Sequence, residues 1–376
     1  MEQKTSTTRK RLANIELLRI ISMLMVITLH FLGRGGVNQA ASPLTTGWFL
    51  SVVWDGLAII SVNLYVLISG YFLVNSKFKF QKLVDIIIQV FSYSFIIYVV
   101  MILVGKNSFS IVGFAKAFLP LLTNQYWFAS AYVGLYILFP FLNAGLHSLT
   151  QKQHKVLCIV MALLFTLYLP STALGQSGTS IVWVICLYIF GAYIRLYYNA
   201  KMKISGKMVL CYIVPALLLP LSKVCITLVA KYINNDLIKY NGWFYKYNSI
   251  FVLWAAIALF VIFLNLDIKS EALSKAICTV GGLTFGVYLF HNNPSLRDHL
   301  WNWLDLTRIM NKWWFFFAGV GIILVIFIIS ALFEFVRKKL YSMFTASRFY
   351  KWLSAKLSLK IDCFLKKHNI KDSENE

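Results

Sequence analysis

Apolar blocks of about 20 residues recur from one end of the chain to the other, each long enough to cross a bilayer as a helix. No single water-soluble core accommodates that pattern. Of the 376 residues, 59% are hydrophobic, 16% aromatic and 13% charged, whereas a soluble globular chain carries about 25% charged residues. The mean hydropathy of +0.70 excludes a soluble enzyme and a disordered chain alike. The sequence therefore predicts an all-α polytopic membrane protein.

The candidate spans are 14–33, 48–74, 84–104, 126–146, 156–170, 179–198, 208–230, 248–266, 276–291 and 313–336. About ten transmembrane helices would place the N- and C-termini on one side, expected to be cytoplasmic. The basic excess, 36 Lys and Arg against 14 Asp and Glu, follows that topology. The segments assigned to the inside, tail included, hold 25 of the basic residues and the outer loops hold 9, as the positive-inside rule requires. Charge is thus read as topology and attraction to anionic lipid, not as nucleic-acid binding. Six cysteines lie scattered without metal-ligand spacing, so neither a disulfide framework nor a metal site is expected.

Two regions follow from this reading: a single membrane domain over 1–336 and a basic amphipathic cytoplasmic tail over 337–376. In the tail, Phe344, Phe349, Tyr350, Trp352, Leu353 and Leu357 alternate with Arg348, Lys351, Lys356 and Lys360. That pattern suits a helix lying on the inner leaflet.

Polar side chains inside apolar spans are costly and therefore informative. The first span carries Glu16, Arg19 and His30. Eleven positions separate Arg19 from His30, about three turns plus 20°, so both point from one helix face roughly 16 Å apart. In the second span Ser61, Tyr65 and Ser69 recur at one-turn spacing and Gly70 follows. Hydroxyl residues so spaced often only pack against another helix, but Ser69 and Gly70 could also let a ligand approach the backbone. In the ninth span Thr284, Tyr288 and His291 form another polar stripe, with His291 at the same expected depth as His30. The loop 231–248 is rich in aromatics, including Tyr232, Trp243 and Tyr247, and reads first as an interfacial belt.

Taken together, these stretches resemble the membrane acyltransferase 3 family. Asn14-Ile15-Glu16-Leu17-Leu18-Arg19, followed by ten residues and His30, resembles its Arg-x10-His signature. Leu67-Ile68-Ser69-Gly70-Tyr71-Phe72 is similar to its Ser-Gly-Phe stretch, and Gln125-Tyr126-Trp127-Phe128 with Leu138-Phe139-Pro140 to its Trp-Phe…Pro span. Thr284 to His291 resembles its late Tyr-Leu-x-His segment. The chain departs from the family at Glu16, where Asp is frequent, and at Asn63-Leu64-Tyr65-Val66, where an Asp and a Phe pair are usual.

The resemblance implies O-acyl transfer, usually of acetyl from acetyl-CoA, to a hydroxyl of a cell-surface or lipid-linked carbohydrate. It makes 1–336 an acyltransferase domain in a multi-pass protein of a cell membrane, as in a bacterial plasma membrane. Arg19 would hold the CoA phosphates near the inner end. His30 would act as general base or would itself accept the acyl group. His291 and Tyr288 would orient the acceptor or stabilise the oxyanion, and Glu16, Ser69, Gly70, Tyr65 and Trp127 would line the substrate site. The expected partners are membrane lipid, a carbohydrate acceptor and glycan-assembly proteins. The competing reading is a polysaccharide or small-molecule transporter, since intramembrane charges and histidines also occur in carriers.

Overall fold

The computed structural model describes residues 12–168, 176–199 and 202–346, and all regular structure among them is helical. Helix α1 (Ala13–Gly33) leads into the short α2 (Val37–Ala40). The second apolar block forms α3 (Thr46–Ala58) and α4 (Ser61–Leu73), separated by Ile59 and Ile60. There follow α5 (Phe80–Leu103), α6 (Ile111–Phe118), α7 (Trp127–Ser148) and α8 (Gln151–Leu163), the last continued by a π turn over Leu164–Tyr168. Next come α9 (Ile181–Tyr197), α10 (Gly206–Tyr232) and α11 (Ile250–Leu264). The ninth block divides into α12 (Glu271–Gly281) and α13 (Thr284–His291); after α14 (Arg297–Leu304), α15 (Phe315–Ala346) completes the set.

The described parts of the ten apolar blocks are mainly helical, two of them divided between a pair of helices, but only seven helical stretches among the described residues are long and apolar enough to cross a membrane. The difference is one of length. Helices α9 and α11 have 17 and 15 residues, or about 25 and 22 Å at 1.5 Å per residue, against a hydrocarbon core of about 30 Å. Helix α8 opens on the polar run Gln151-Lys152-Gln153-His154-Lys155, and the block's end lies outside the described residues. So do the basic N-terminal segment and the tail from 347 onward. Helix α15 passes without a break through Val336 and Arg337 to Ala346. Leu324, Val325, Ile328, Ile329 and Leu332 on it are all exposed, an apolar surface suited to lipid.

Hydroxyl caps set several helix starts. Ser180, Ser205 and Ser270 each accept a hydrogen bond from the third backbone N–H of the helix that follows, and Thr150 with Gln153 forms a capping box. These caps satisfy donors that a helix leaves open at its N-terminus.

Helix α1 lies at the centre of the bundle, packed against α3, α4, α11, α12, α13 and α15. A second anchor fixes α15. Glu334 is fully buried and accepts from Gln89 of α5 at 3.1 Å, from the Tyr93 hydroxyl at 2.9 Å and from Arg337 twice, at 2.7 and 2.8 Å. Gly286 of α13 makes room for this carboxylate, because a Cβ there would collide with it. Removing one member of a buried, hydrogen-bonded ion pair strands the other, at a cost of about 3 kcal/mol or more. Glu334→Ala should therefore lower the unfolding midpoint of the protein in lipid nanodiscs by several degrees. Unchanged melting would show that the network is dispensable.

Candidate active site

Along α1, the positions 19, 23, 26 and 30 fall on one face. Arg19, Met23, Val26 and His30 all line a single cavity of about 270 Å³. Arg19 marks one end and His30 the other. The lining is mainly apolar, with Val62, Ile86 and Phe285 joining Met23 and Val26. Tyr65 and Ser69 of α4, Trp127 of α7 and Tyr288 of α13 also line it. Members of the stripes read from three separate spans thus meet in one space, while Ser61 and His291 are buried outside its lining.

At the first end, the Arg19 guanidinium donates to Glu16 at 2.8 Å and lies 5.8 Å from the centre of the Phe72 ring. Glu16 itself is buried under α12 and does not line the cavity. Gly281 packs directly on it, and a Cβ there would come within 2.5 Å of Glu16 Oε2. Glu16 is therefore a positioning residue: it fixes the guanidinium of Arg19, which is partly exposed to the cavity. The Tyr65 hydroxyl donates to the Arg19 carbonyl at 2.8 Å and ties α4 to α1. Lys82 adds a second cation to the lining. Sequence reasoning counted Lys82 among the basic residues of a cytoplasmic segment, and no spacing signal set it apart from Lys77 and Lys79.

At the second end, His30 Nδ1 and His291 Nε2 are 2.9 Å apart, so the two histidines expected at one depth are in contact. The His291 ring is fully buried, and its Nδ1 lies 2.6 Å from the Val287 carbonyl. A carbonyl can only accept, so His291 Nδ1 carries the proton. Neutral His291 then presents an acceptor at Nε2, and His30 donates to it from Nδ1. This chain of bonds leaves His30 Nε2 with its lone pair available. The Tyr288 hydroxyl stands near the Asn292 side chain and the Phe128 backbone but meets neither with full hydrogen-bond geometry.

Trp127 and Tyr247 cover this end with rings 5.9 Å apart and inclined by 31°. Tyr247 comes from the aromatic loop read as an interfacial belt, which folds back over the cavity. Asn63, buried in α4, donates to the Tyr247 carbonyl at 2.8 Å and accepts from the Trp183 indole at 3.3 Å. The departure at Asn63 thus has a structural role.

Gly70 does not line the cavity. Its open side faces the Tyr188 backbone of α9, where a Cβ would collide, and a Cβ on Gly191 of α9 would likewise collide with the Leu67 carbonyl and crowd Gly70. The Ser69-Gly70 pair therefore divides its work: Ser69 lines the cavity and Gly70 lets two helices touch. Among the described residues no group of acidic, His or Cys side chains has the arrangement of a metal site.

Fold and site together define a multi-pass helical membrane protein with a mainly apolar cavity inside its bundle, polar at its two ends. The family model described as an acyltransferase domain, that of acyltransferase 3, matches residues 12–332, and the chain belongs to that family. No curated protein and no solved structure matches the chain significantly. The protein is a membrane acyltransferase by family.

The hydrogen-bond chain has a chemical signature. Diethyl pyrocarbonate should modify His30 through its open Nε2 and spare His291, as read by mass spectrometry of peptides. Modification of His291 in preference to His30 would reverse the assignment of the two rings.

Proposed function

We propose that the protein transfers an acetyl group from acetyl-CoA, bound from the cytoplasmic side, to a carbohydrate hydroxyl presented at the opposite side. The observation that carries this reading is the single cavity with a fixed cation at one end and a hydrogen-bonded histidine pair at the other. Coenzyme A is anionic at its nucleotide end. Arg19, held by Glu16, offers a permanently charged fork for its phosphates, and Lys82 stands in the same lining. The roughly 16 Å from Arg19 to His30 is comparable to the reach of the pantetheine arm, which would bring the thioester carbonyl to His30.

There His30 Nε2 takes the proton of the sugar hydroxyl as its oxygen attacks the carbonyl carbon. His291 holds the ring in the required tautomer, as a carboxylate does in a catalytic triad. The negative charge that develops on the carbonyl oxygen is met by the Tyr288 hydroxyl. The C–S bond then breaks, the imidazolium returns its proton to the thiolate, and CoA leaves as the thiol. In the covalent variant, His30 Nε2 attacks the thioester carbonyl and expels CoA as the thiolate; the sugar hydroxyl then attacks the acyl-imidazole carbonyl, its proton passes to the thiolate, and the C–N bond breaks to free His30. Both routes use the same nitrogen. The apolar middle of the cavity excludes water that would otherwise hydrolyse the thioester.

The test is label transfer from acetyl-CoA to a crude glycan extract by protein in nanodiscs. His30→Ala should abolish transfer. His291→Ala should lower kcat by on the order of 100-fold with little change in KM, because it removes orientation and not binding. Arg19→Ala should weaken acetyl-CoA binding about tenfold or more. If the wild type neither binds nor consumes acetyl-CoA, the acyltransferase reading of this site fails and a carrier takes its place. Passage through the cavity has its own test: Val26→Trp, which fills the apolar middle, should stop transfer while acetyl-CoA still binds. Full activity in that variant would mean that the thioester reaches His30 by another path.

A further inference from the structure

Two arginines stand at the His30 end that the reaction above does not use. Arg34 follows His30 by one helical turn, at the C-terminal cap of α1, with its backbone N–H on the His30 carbonyl at 2.8 Å. Arg297 begins α14, six residues after His291. Both guanidinium groups lie within electrostatic reach of the His30 ring and of each other.

Like charges are not held together beside an active base without compensation, and here compensation is incomplete. Arg34 is exposed, and its side chain makes no hydrogen bond or ion pair with the described residues. The Arg297 side chain is 27% exposed, and its Nε is buried without a hydrogen bond, 3.4 Å from Asp298 Oδ1. Asp298 is largely exposed and is the carboxylate that acts on both arginines. One carboxylate thus faces two cations.

The loop that carries Arg297 is held in place. Asn293 accepts from the Arg297 backbone N–H at 2.8 Å, and its side chain donates to the Tyr93 carbonyl and the Tyr126 hydroxyl at 3.0 and 2.8 Å. Asn107 donates to the Ser295 carbonyl at 3.0 Å. Such anchoring suits a binding group more than a side chain free to turn toward bulk water. The outer loops of the proposed topology carry the same sign, with nine basic residues against Asp236, Asp298 and Asp305. The positive-inside rule does not ask for an excess on that face.

We propose that the acceptor is an anionic carbohydrate whose phosphate or carboxylate group is bound by Arg34 and Arg297 beside the hydroxyl to be acylated. The inference rests on the acyl-transfer reading for its hydroxyl; the anion site rests on the placement of Arg34 one turn beyond His30 and of Arg297 six residues beyond His291, which His30 contacts. Trp127 and Tyr247 supply flat rings for the sugar face, and the arginines supply forked donors for the anion. An arginine pair at this depth could instead hold the phosphate of a lipid headgroup, so the experiment separates the two sources.

Binding of methyl glucoside, methyl glucuronide and methyl glucoside 6-phosphate would be compared by ligand-observed magnetic resonance on protein in zwitterionic nanodiscs. The two anionic probes should bind roughly tenfold more tightly than the neutral one. Arg34→Gln with Arg297→Gln should erase that preference, and the matching Lys pair should restore much of it. Equal binding of all three probes, or a preference that survives in the Gln pair, overturns the proposal. It is also overturned if the Gln pair changes only the amount of anionic lipid retained by the protein and not the probe preference. Acetyl-CoA binding by the wild type, read on the same preparation, reports on the acyl-transfer reading separately, so failure of one is not mistaken for failure of the other.

Discussion

Everything in this bundle is arranged around the need to keep a polar stripe on a central helix inside an apolar surrounding. Helix α1 carries Glu16, Arg19 and His30, and uncompensated polar groups at such depth are expensive. Glu16 and Arg19 compensate each other on α1, and neighbours from α4, α12 and α13 close around the stripe. Glu16 pairs with Arg19 on its own helix and lies beneath Gly281 of α12; the Arg19 carbonyl takes the Tyr65 hydroxyl of α4; His30 takes His291 of α13. The contacts that make the stripe tolerable also fix its geometry. The site is then a consequence of satisfying α1 and not an addition to a finished fold.

Glycine governs how closely these neighbours approach. Gly70 and Gly191 let α4 and α9 touch backbone to backbone, Gly281 admits Glu16, and Gly286 admits Glu334. In lipid no hydrophobic force draws one helix to another, so close packing of this kind carries much of the association. Gly281 also lines the cavity, whereas Gly70, Gly191 and Gly286 leave the lining to larger side chains.

The legible part of the site was the part governed by helix periodicity. Arg19 and His30 could be placed on one face from an eleven-residue spacing alone, and Tyr65 with Ser69, and Thr284 with Tyr288, from one-turn spacings. Interhelix contact was not legible: that His291 meets His30 depends on how α13 packs on α1, which no single-chain pattern encodes. Gly70 resembles a ligand-approach glycine in sequence and turns out to be a packing one, because the two uses leave the same residue. Lys82, Arg34 and Arg297 were lost among the topological charges, since a basic residue at a span end satisfies the positive-inside rule whether or not it also faces a site. Helix length met a related limit. The apolar character of α9 and α11 was evident, but not that their helices stop at 17 and 15 residues.

The separation of the cavity's two ends has a further physical consequence. Arg19 and His30 are held apart by a rigid helix, so a substrate that satisfies both must be long, charged at one end and reactive at the other. The wall is mainly apolar, with Met23, Val26, Val62 and Ile86 in it, and gives a short polar molecule little to replace its hydration. In such a low-dielectric passage a charge at either end acts more strongly than it would in water. Selection by length and by charge placement therefore needs no moving part: the spacing along α1 supplies the first, and the pairing of each polar residue with its neighbour supplies the second.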